Sequence, residues 1–318
     1  MTVGVIGHHK CNGHSMGDYH PESPKRLGAI QDQLIRSGLE YVIRQYDATP
    51  IDRDLISLAH DDKYIQYIFD NAPKTSDQDA IFRLDDDTSM NADTLPAALL
   101  SAGAAINAVD LVMDKTLTAA FCATRPPGHH AEYDKGMGFC FFNNIAIAAA
   151  YAKKKYKLER VAIVDFDVHH GNGTEDIIKR ATANGKEQGY LFCSSYQYPF
   201  YPFEMQESDT PPIINTPLPA TCKGPEFRAA ISKHWLPALE KFKPQIIFIS
   251  AGFDAHIEDE MSQISLTECD YRWVTDELKT IADKYSEGRI ISMLEGGYAL
   301  SALGRSVVEH MKGLISNQ

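Results

Sequence analysis

The chain has 318 residues, 44% of them hydrophobic, with 31 Lys and Arg against 43 Asp and Glu for a formal net charge of −12. The longest basic run is Lys153-Lys154-Lys155, so the clustered Lys/Arg surface that phosphate recognition needs is missing and a nucleic-acid binder is disfavoured. The stretch before His8 is too short for the apolar core of a secretory signal, and no apolar run approaches the roughly 20 residues of a membrane span. A cytoplasmic protein that meets neither nucleic acid nor membrane is therefore expected.

In chain order, residues 3–6 form a short apolar run suited to a strand buried on both faces, and 24–37 a helix with Leu27, Ile30 and Leu34 on one side. A helix over 92–113 leads to a strand run at 117–124. After it come helix 144–154, strand 161–166, helix 174–181, strand 190–195, helix 225–242, strand 245–250, helix 267–285, strand 289–294 and helix 299–314. Strand and helix in alternation predict an α/β fold, a mostly parallel central sheet covered by helices in three αβα layers. No linker, repeat or low-complexity segment interrupts the order, so residues 1–318 read as a single domain. Residues 10–23, 71–91, 196–224 and 256–263 are long for α/β connections, and such loops at one sheet end commonly build a binding site. The six cysteines are scattered without a Cys-x-x-Cys pair and read as reduced, mostly packed thiols.

Ligands of open α/β sheets bind beyond the carboxyl ends of the strands, so the residues just after each strand are read together. They are Arg125-Pro-Pro-Gly-His129-His130, Asp165-Phe-Asp167-Val-His169-His170-Gly-Asn172, Gly252-Phe253-Asp254 and Glu295-Gly296-Gly297-Tyr298. Asp167 and His169 are two apart; in an extended stretch both side chains leave one face and can grip a cation, with Asp254 completing the set. Two carboxylates and an imidazole leave one position open for water, as in a catalytic Zn²⁺ site. The bridging carboxylate of an Asp-x-His-x-Asp two-metal site is missing, because position 171 is glycine. This favours one metal and disfavours a ureohydrolase. His129 and His130, on a rigid Pro-Pro-Gly turn, can supply a general base and a proton donor. Tyr298, after two glycines, can aim its phenol at a developing oxyanion.

These motifs, with His20-Pro-Glu-Ser-Pro-Lys-Arg26 upstream, resemble the arginase-fold zinc deacetylases, the histone deacetylases and acetylpolyamine amidohydrolases, over almost the whole chain. Glu295 and Asn172, where many relatives have Gly and Asp, look like the class II branch. The resemblance implies one Zn²⁺ on Asp167, His169 and Asp254. It also implies that His129 and His130 are the acid/base pair, with Asp165 beside the first and Asn172 beside the second, and that Tyr298 is the oxyanion donor. His130, lacking an adjacent carboxylate, is then the expected base. A K⁺ site is implied at the Asp165, Asp167 and His169 backbone oxygens plus Ser195 and Tyr196. There the relatives' Ser-Leu-His reads Ser195-Tyr196-Gln197.

The resemblance further implies an aromatic tunnel of Gly138, Phe139 and Tyr201. The Asp85–Asp87 loop reads either as the source of a substrate-binding carboxylate, at Asp87, or as a solvated acidic turn. Polyamine-selective relatives carry a rim carboxylate where this chain has Met261, which favours acyl-lysine in proteins or peptides over N-acetylpolyamines. Glu258, Asp259 and Glu260 stand next door as possible substitutes. A non-catalytic acyl-lysine binder is a third reading, against which the intact His129, His130 and Tyr298 argue.

Overall fold

The computed structural model describes residues 2–74, 80–183, 188–203 and 208–316. Residues 75–79 and 204–207 of two predicted loops, and both ends of the predicted domain, lie outside the described residues. The strands are β1 (Val3–Gly7), β2 (Ile43–Asp47), β3 (Phe82–Arg83), β4 (Ser89–Met90), β5 (Ala119–Cys122), β6 (Val161–Asp165), β7 (Tyr190–Gln197), β8 (Asp209–Thr210), β9 (Ile213–Leu218), β10 (Ile246–Ala251) and β11 (Ile290–Leu294). The helices are α1 (Lys25–Arg36), α2 (Arg53–Ile56), α3 (Asp62–Asn71), α4 (Thr94–Met113), α5 (Asn144–Tyr156), α6 (Asn172–Thr182), α7 (Gly224–Phe242), α8 (Glu268–Tyr285) and α9 (Leu300–Ile315).

One nine-stranded sheet runs in the order β2-β1-β5-β11-β10-β6-β7-β9-β8, parallel except for the antiparallel edge strand β8. The five central strands that read as unbroken apolar runs are buried at every position, because helices cover both faces. Alternation within each strand divides the core in two. Ala120, Cys122, Ile163 and Phe248 face α4, α5 and α6, while Phe121, Val164, Ile247 and Ile249 face α1, α7, α8 and α9. The three layers and the parallel sheet are as predicted.

Strands β2, β3, β4, β8 and β9 and helices α2 and α3 are additions to the predicted elements. Strand β2 borders the sheet and exposes Arg44 and Gln45, so it lacks the apolar run by which buried strands are recognised. One expectation needs correction. Helix α4 is 20 residues long and apolar enough to cross a membrane, with 67% of its most apolar window buried. Its small residues Ala98, Ala102, Ala104, Ala105 and Ala108 instead let it pack closely inside the first core. Five of the six cysteines are buried and none is paired.

Parallel strands end on one edge. Pairing of Asp165 with Ser250, Ala251 with Leu294 and Met293 with Cys122 brings the segments after β5, β6, β10 and β11 side by side.

Candidate metal centre and active site

Just past β6 the chain is not extended as the two-residue spacing supposes. The Asp167 carboxylate accepts the His169 N–H at 2.9 Å, a local turn, and the two side chains meet within it. Asp254, just past β10, accepts the Val168 N–H at 2.9 Å with Oδ1, and its buried Oδ2 accepts no hydrogen bond among the described residues. His169 Nδ1 lies 3.0 Å from Asp167 Oδ1 and 3.2 Å from Asp254 Oδ2. One donor atom from each of the three buried residues lies within 4.8 Å of the others.

Burial, joined by the charge of Asp167, pushes the Asp254 carboxyl up to about 6. Burial opposes charge on His169 as well, but Asp167 and Asp254 outweigh it and raise the imidazole to about 9. Two oxygens around one ring nitrogen thus form a cradle for positive charge. The unsatisfied Oδ2 of Asp254 and the all-oxygen-and-imidazole donor set fit a Zn²⁺ ion taking the proton's place. Gly171 is closed to the second-metal carboxylate, since a Cβ there would stand 2.2 Å from Asp165 Oδ2.

His129 and His130 are nearly fully buried with ring centroids 4.0 Å apart. His129 Nδ1 lies 2.9 Å from Asp165 Oδ2 and His130 Nδ1 lies 2.7 Å from Asn172 Oδ1, the pairing the resemblance implies. The Asn172 amide nitrogen donates to Glu132 Oε1 at 2.7 Å, which turns its oxygen towards His130. His130 Nδ1 therefore carries the hydrogen and leaves Nε2 as the acceptor. Burial, with His129 and His169 nearby, holds His130 well below the usual histidine range. His129 meets the same burial, but Asp165 and Asp167 overcome it and raise it to about 10.

A cavity of about 200 Å³ opens onto these groups, lined among others by Asp87, Gly138, Phe139, Tyr201, Met261 and Tyr298. Each predicted channel residue is thus in the wall, and Phe200, which the sequence reading passed over, joins them with its ring stacked on His169 at 5.2 Å. Tyr201 meets His130 edge-on at 5.2 Å. Gly138 has φ +56, and a Cβ there would stand 2.5 Å from His130 Cδ2, so only glycine fits. Phe139 follows at φ 69, a costly conformation for an aromatic residue, held by its N–H donating to Thr88 Oγ1 at 3.0 Å. Thr88 Oγ1 in turn donates to Asp87 Oδ1 at 2.9 Å, which ties the rim carboxylate to the channel wall. Of the rim acids, Glu258 is paired with Arg305 at 2.6 Å and Asp259 is buried with its carboxylate on backbone N–H groups. Glu260 is exposed. Ser195 and Tyr196 are buried in β7 beside β6, and the Gln197 side chain accepts the Gln263 N–H at 2.8 Å.

The supports behind the site are the residues whose work sequence reading missed. Glu22 is fully buried between Arg125 and Arg26, and it is held well below the usual carboxylate range because Arg125, with His14, outweighs its burial. Arg26 donates to the Gly297 carbonyl at 2.7 Å and also to that of Glu295, and its guanidinium lies 5.1 Å from the Tyr298 ring centre. Glu295 accepts the N–H groups of Gly128 at 2.7 Å and His129 at 3.1 Å, fixing the histidine loop, and burial raises its carboxyl to about 7.

The histone deacetylase domain matches residues 20–314. The chain is 35% identical, over 99% of its length and 72% of the other protein, to "Histone deacetylase 10, chloroplastic" of Oryza sativa. It is 33% identical to "Polyamine deacetylase HDAC10" of Mus musculus over 93% of its own length and 45% of that protein. The chain spans only 21% of "Type-2 histone deacetylase 2" of Dictyostelium discoideum, to which it is 34% identical over 98% of its own length. Among solved structures, the HDA15 HD domain superposes with a TM-score of 0.87 at 28% identity, covering 98% of this chain and 88% of that one. With the aspartate–histidine–aspartate cluster at the mouth of the parallel sheet, the chain belongs to the histone deacetylase domain family of class II-like deacetylases.

Proposed function

We propose that the chain is a zinc-dependent amide hydrolase that removes acetyl or other short acyl groups from the ε-amine of lysine in proteins or peptides. The observation that carries this is the buried Asp167–His169–Asp254 cluster, whose His169 lines a narrow cavity shared by His129, His130 and Tyr298. Zn²⁺ on those three residues supplies Lewis acidity towards an acyl carbonyl and a lowered pKa for the attacking water.

The chain's own groups divide the remaining work. His130, neutral with a free Nε2, takes the proton of the attacking water. His129, charged beside Asp165, returns a proton to the departing amine, which amide cleavage requires because an amide anion is a poor leaving group. The Tyr298 phenol, which burial keeps protonated well above its ordinary pKa, donates to the oxyanion. Asp165 and Asn172 hold the two imidazoles, Gly138, Phe139 and Tyr201 guide a slim alkyl chain, and Asp87 meets the substrate backbone. We further propose K⁺ as a second, structural cation at the backbone oxygens of Asp165, Asp167 and His169 with Ser195 and Tyr196.

Acyl-lysine is favoured over acetylpolyamine because the channel wall carries Met261, while Glu258 is engaged by Arg305 and Asp259 is turned inward. A second ammonium at the rim would find no carboxylate free among those two. The similarity to the mouse polyamine deacetylase supports acetylpolyamine as the second reading. Comparing kcat/KM for an acetyl-lysine peptide and N-acetylspermidine on the zinc-loaded protein decides between them. The peptide is expected to be the better substrate; the opposite ratio overturns the choice, and no turnover of either leaves only an acyl-lysine binder.

A further inference from the structure

We propose that Asp259 is a positioning residue for Tyr298 and couples it to the channel wall at Met261. Its carboxylate, on a residue 4% exposed, makes three hydrogen bonds to main chain. Oδ2 accepts the N–H of Tyr298 at 2.6 Å and that of Ala299 at 2.9 Å, and Oδ1 accepts the N–H of Met261 at 3.0 Å. Tyr298 and Met261 both line the cavity, so one buried carboxylate joins two walls that are far apart in sequence.

The loop needs such a tie. Helix α9 has no side-chain cap of its own, so Asp259 satisfies amides just ahead of its positive end from outside, with charge-assisted bonds. Gly296 and Gly297 precede the tyrosine, and Gly297 sits at φ +120, so little within the loop itself stiffens the backbone there. Arg26 holds the Gly297 carbonyl on one side and Asp259 holds the Tyr298 amide on the other. Without Asp259 the phenol keeps its chemistry and loses its address. A displacement on the order of 1 Å in a catalytic group costs about 10²-fold in rate. The activity arm of the test rests on the hydrolase reading above.

The experiment is a double-mutant cycle on the zinc-loaded full chain with Asp259→Ala, Tyr298→Phe and the pair, following kcat and KM, zinc content and amide hydrogen exchange of the segment 295–300. Asp259→Ala is expected to lower kcat by about 10²-fold with little change in KM. The pair should fall no further than Tyr298→Phe alone, because the two residues act as one unit. Exchange of 295–300 should quicken in Asp259→Ala and in the pair, not in Tyr298→Phe, with one zinc kept per chain. Asp259→Asn can keep its carboxamide oxygen on the Tyr298 and Ala299 amides, so it should retain an intermediate kcat, and it carries the same cycle if the alanine variant does not fold. Losses that multiply in the pair, or exchange that does not change, would overturn the proposal. If the wild-type chain cleaves no acyl amide, the hydrolase reading falls, and the exchange arm still decides whether Asp259 holds the loop.

Discussion

Replacing Asp254 with Asn should stabilise the metal-free protein and abolish its response to zinc. Burial and the neighbouring Asp167 raise the Asp254 carboxyl from an ordinary 3.8 to about 6. At pH 8 it is ionised in both folded and unfolded chains, but ionisation is harder in the fold. The difference corresponds to about 3 kcal/mol of lost stability at pH 8, absent below the unfolded pKa and growing as pH rises through the folded one. The carboxamide carries no charge, so the metal-free variant should recover much of it. For 318 residues at about 2.1 cal/mol/K of unfolding entropy each, this amounts to a Tm higher by roughly 4–5 °C. Zinc at about a thousand times its Kd adds about 4 kcal/mol to the wild type, or roughly 6 °C, and should add almost nothing to the variant. Thermal unfolding at pH 8 with chelator and with zinc therefore shows the order of the two proteins reversing. Equal zinc shifts in both, or none in the wild type, would refute the assignment of Asp254 as a ligand.

The proposed division of labour between the histidines should appear in pH–rate profiles of the zinc-loaded protein. His130→Ala should lose about 10²–10⁴-fold in kcat together with the acidic limb of the profile, while His129→Ala keeps the acidic limb and loses the alkaline one; the reverse pattern would exchange their roles. Away from the site, burial lowers His310 to about 3 between the hydroxyls of Thr275 and Ser292. A depressed histidine stabilises the fold above its unfolded pKa of about 6.5 and loses that contribution as pH falls towards 3. Between pH 7 and pH 5 the loss is about 2 kcal/mol, so urea unfolding of His310→Gln should show a pH dependence smaller by that amount, and an unchanged dependence would remove His310 as its source.

Much of the fold is legible in sequence because buried parallel strands are written as apolar runs. Residues 161–166 and 289–294 announce β6 and β11 by composition alone, whereas β2 exposes Arg44 and Gln45 and carries no such mark. The chemical groups are legible for a related reason: a parallel sheet delivers the residues after every strand to one edge, so Asp167, Asp254, His130 and Tyr298 can be gathered without knowing any contact. Their supports are not. Glu132, which sets the orientation of the Asn172 amide, carries no mark in the sequence, and Asp259, which holds Tyr298, reads there only as a possible rim acid, until the fold brings their partners from 40 and 39 positions away. Phe200 escaped notice beside Tyr201 because both are aromatic and only the local backbone decides which rings reach the channel.

The same long-range ties explain how the protein tolerates so much buried charge. Asp165, Asp167, Asp254 and Glu295 are all nearly inaccessible, and leaving such groups unpaired in an interior costs several kcal/mol each. Asp165 is set against His129, Asp167 against the Gly296 N–H at 2.8 Å, and Glu295 against two amides of the histidine loop. Of these four carboxylates, only Asp254 Oδ2 makes no hydrogen bond among the described residues, with His169 Nδ1 3.2 Å away. A fold that satisfies its other buried carboxylates this fully and leaves Asp254 Oδ2 with only the His169 imidazole beside it, a ring that itself lines the cavity, concentrates its unmet electrostatic demand around that ring nitrogen. A divalent cation in place of the imidazole proton would meet that demand, and the helices packed on both sheet faces supply the apolar burial around it.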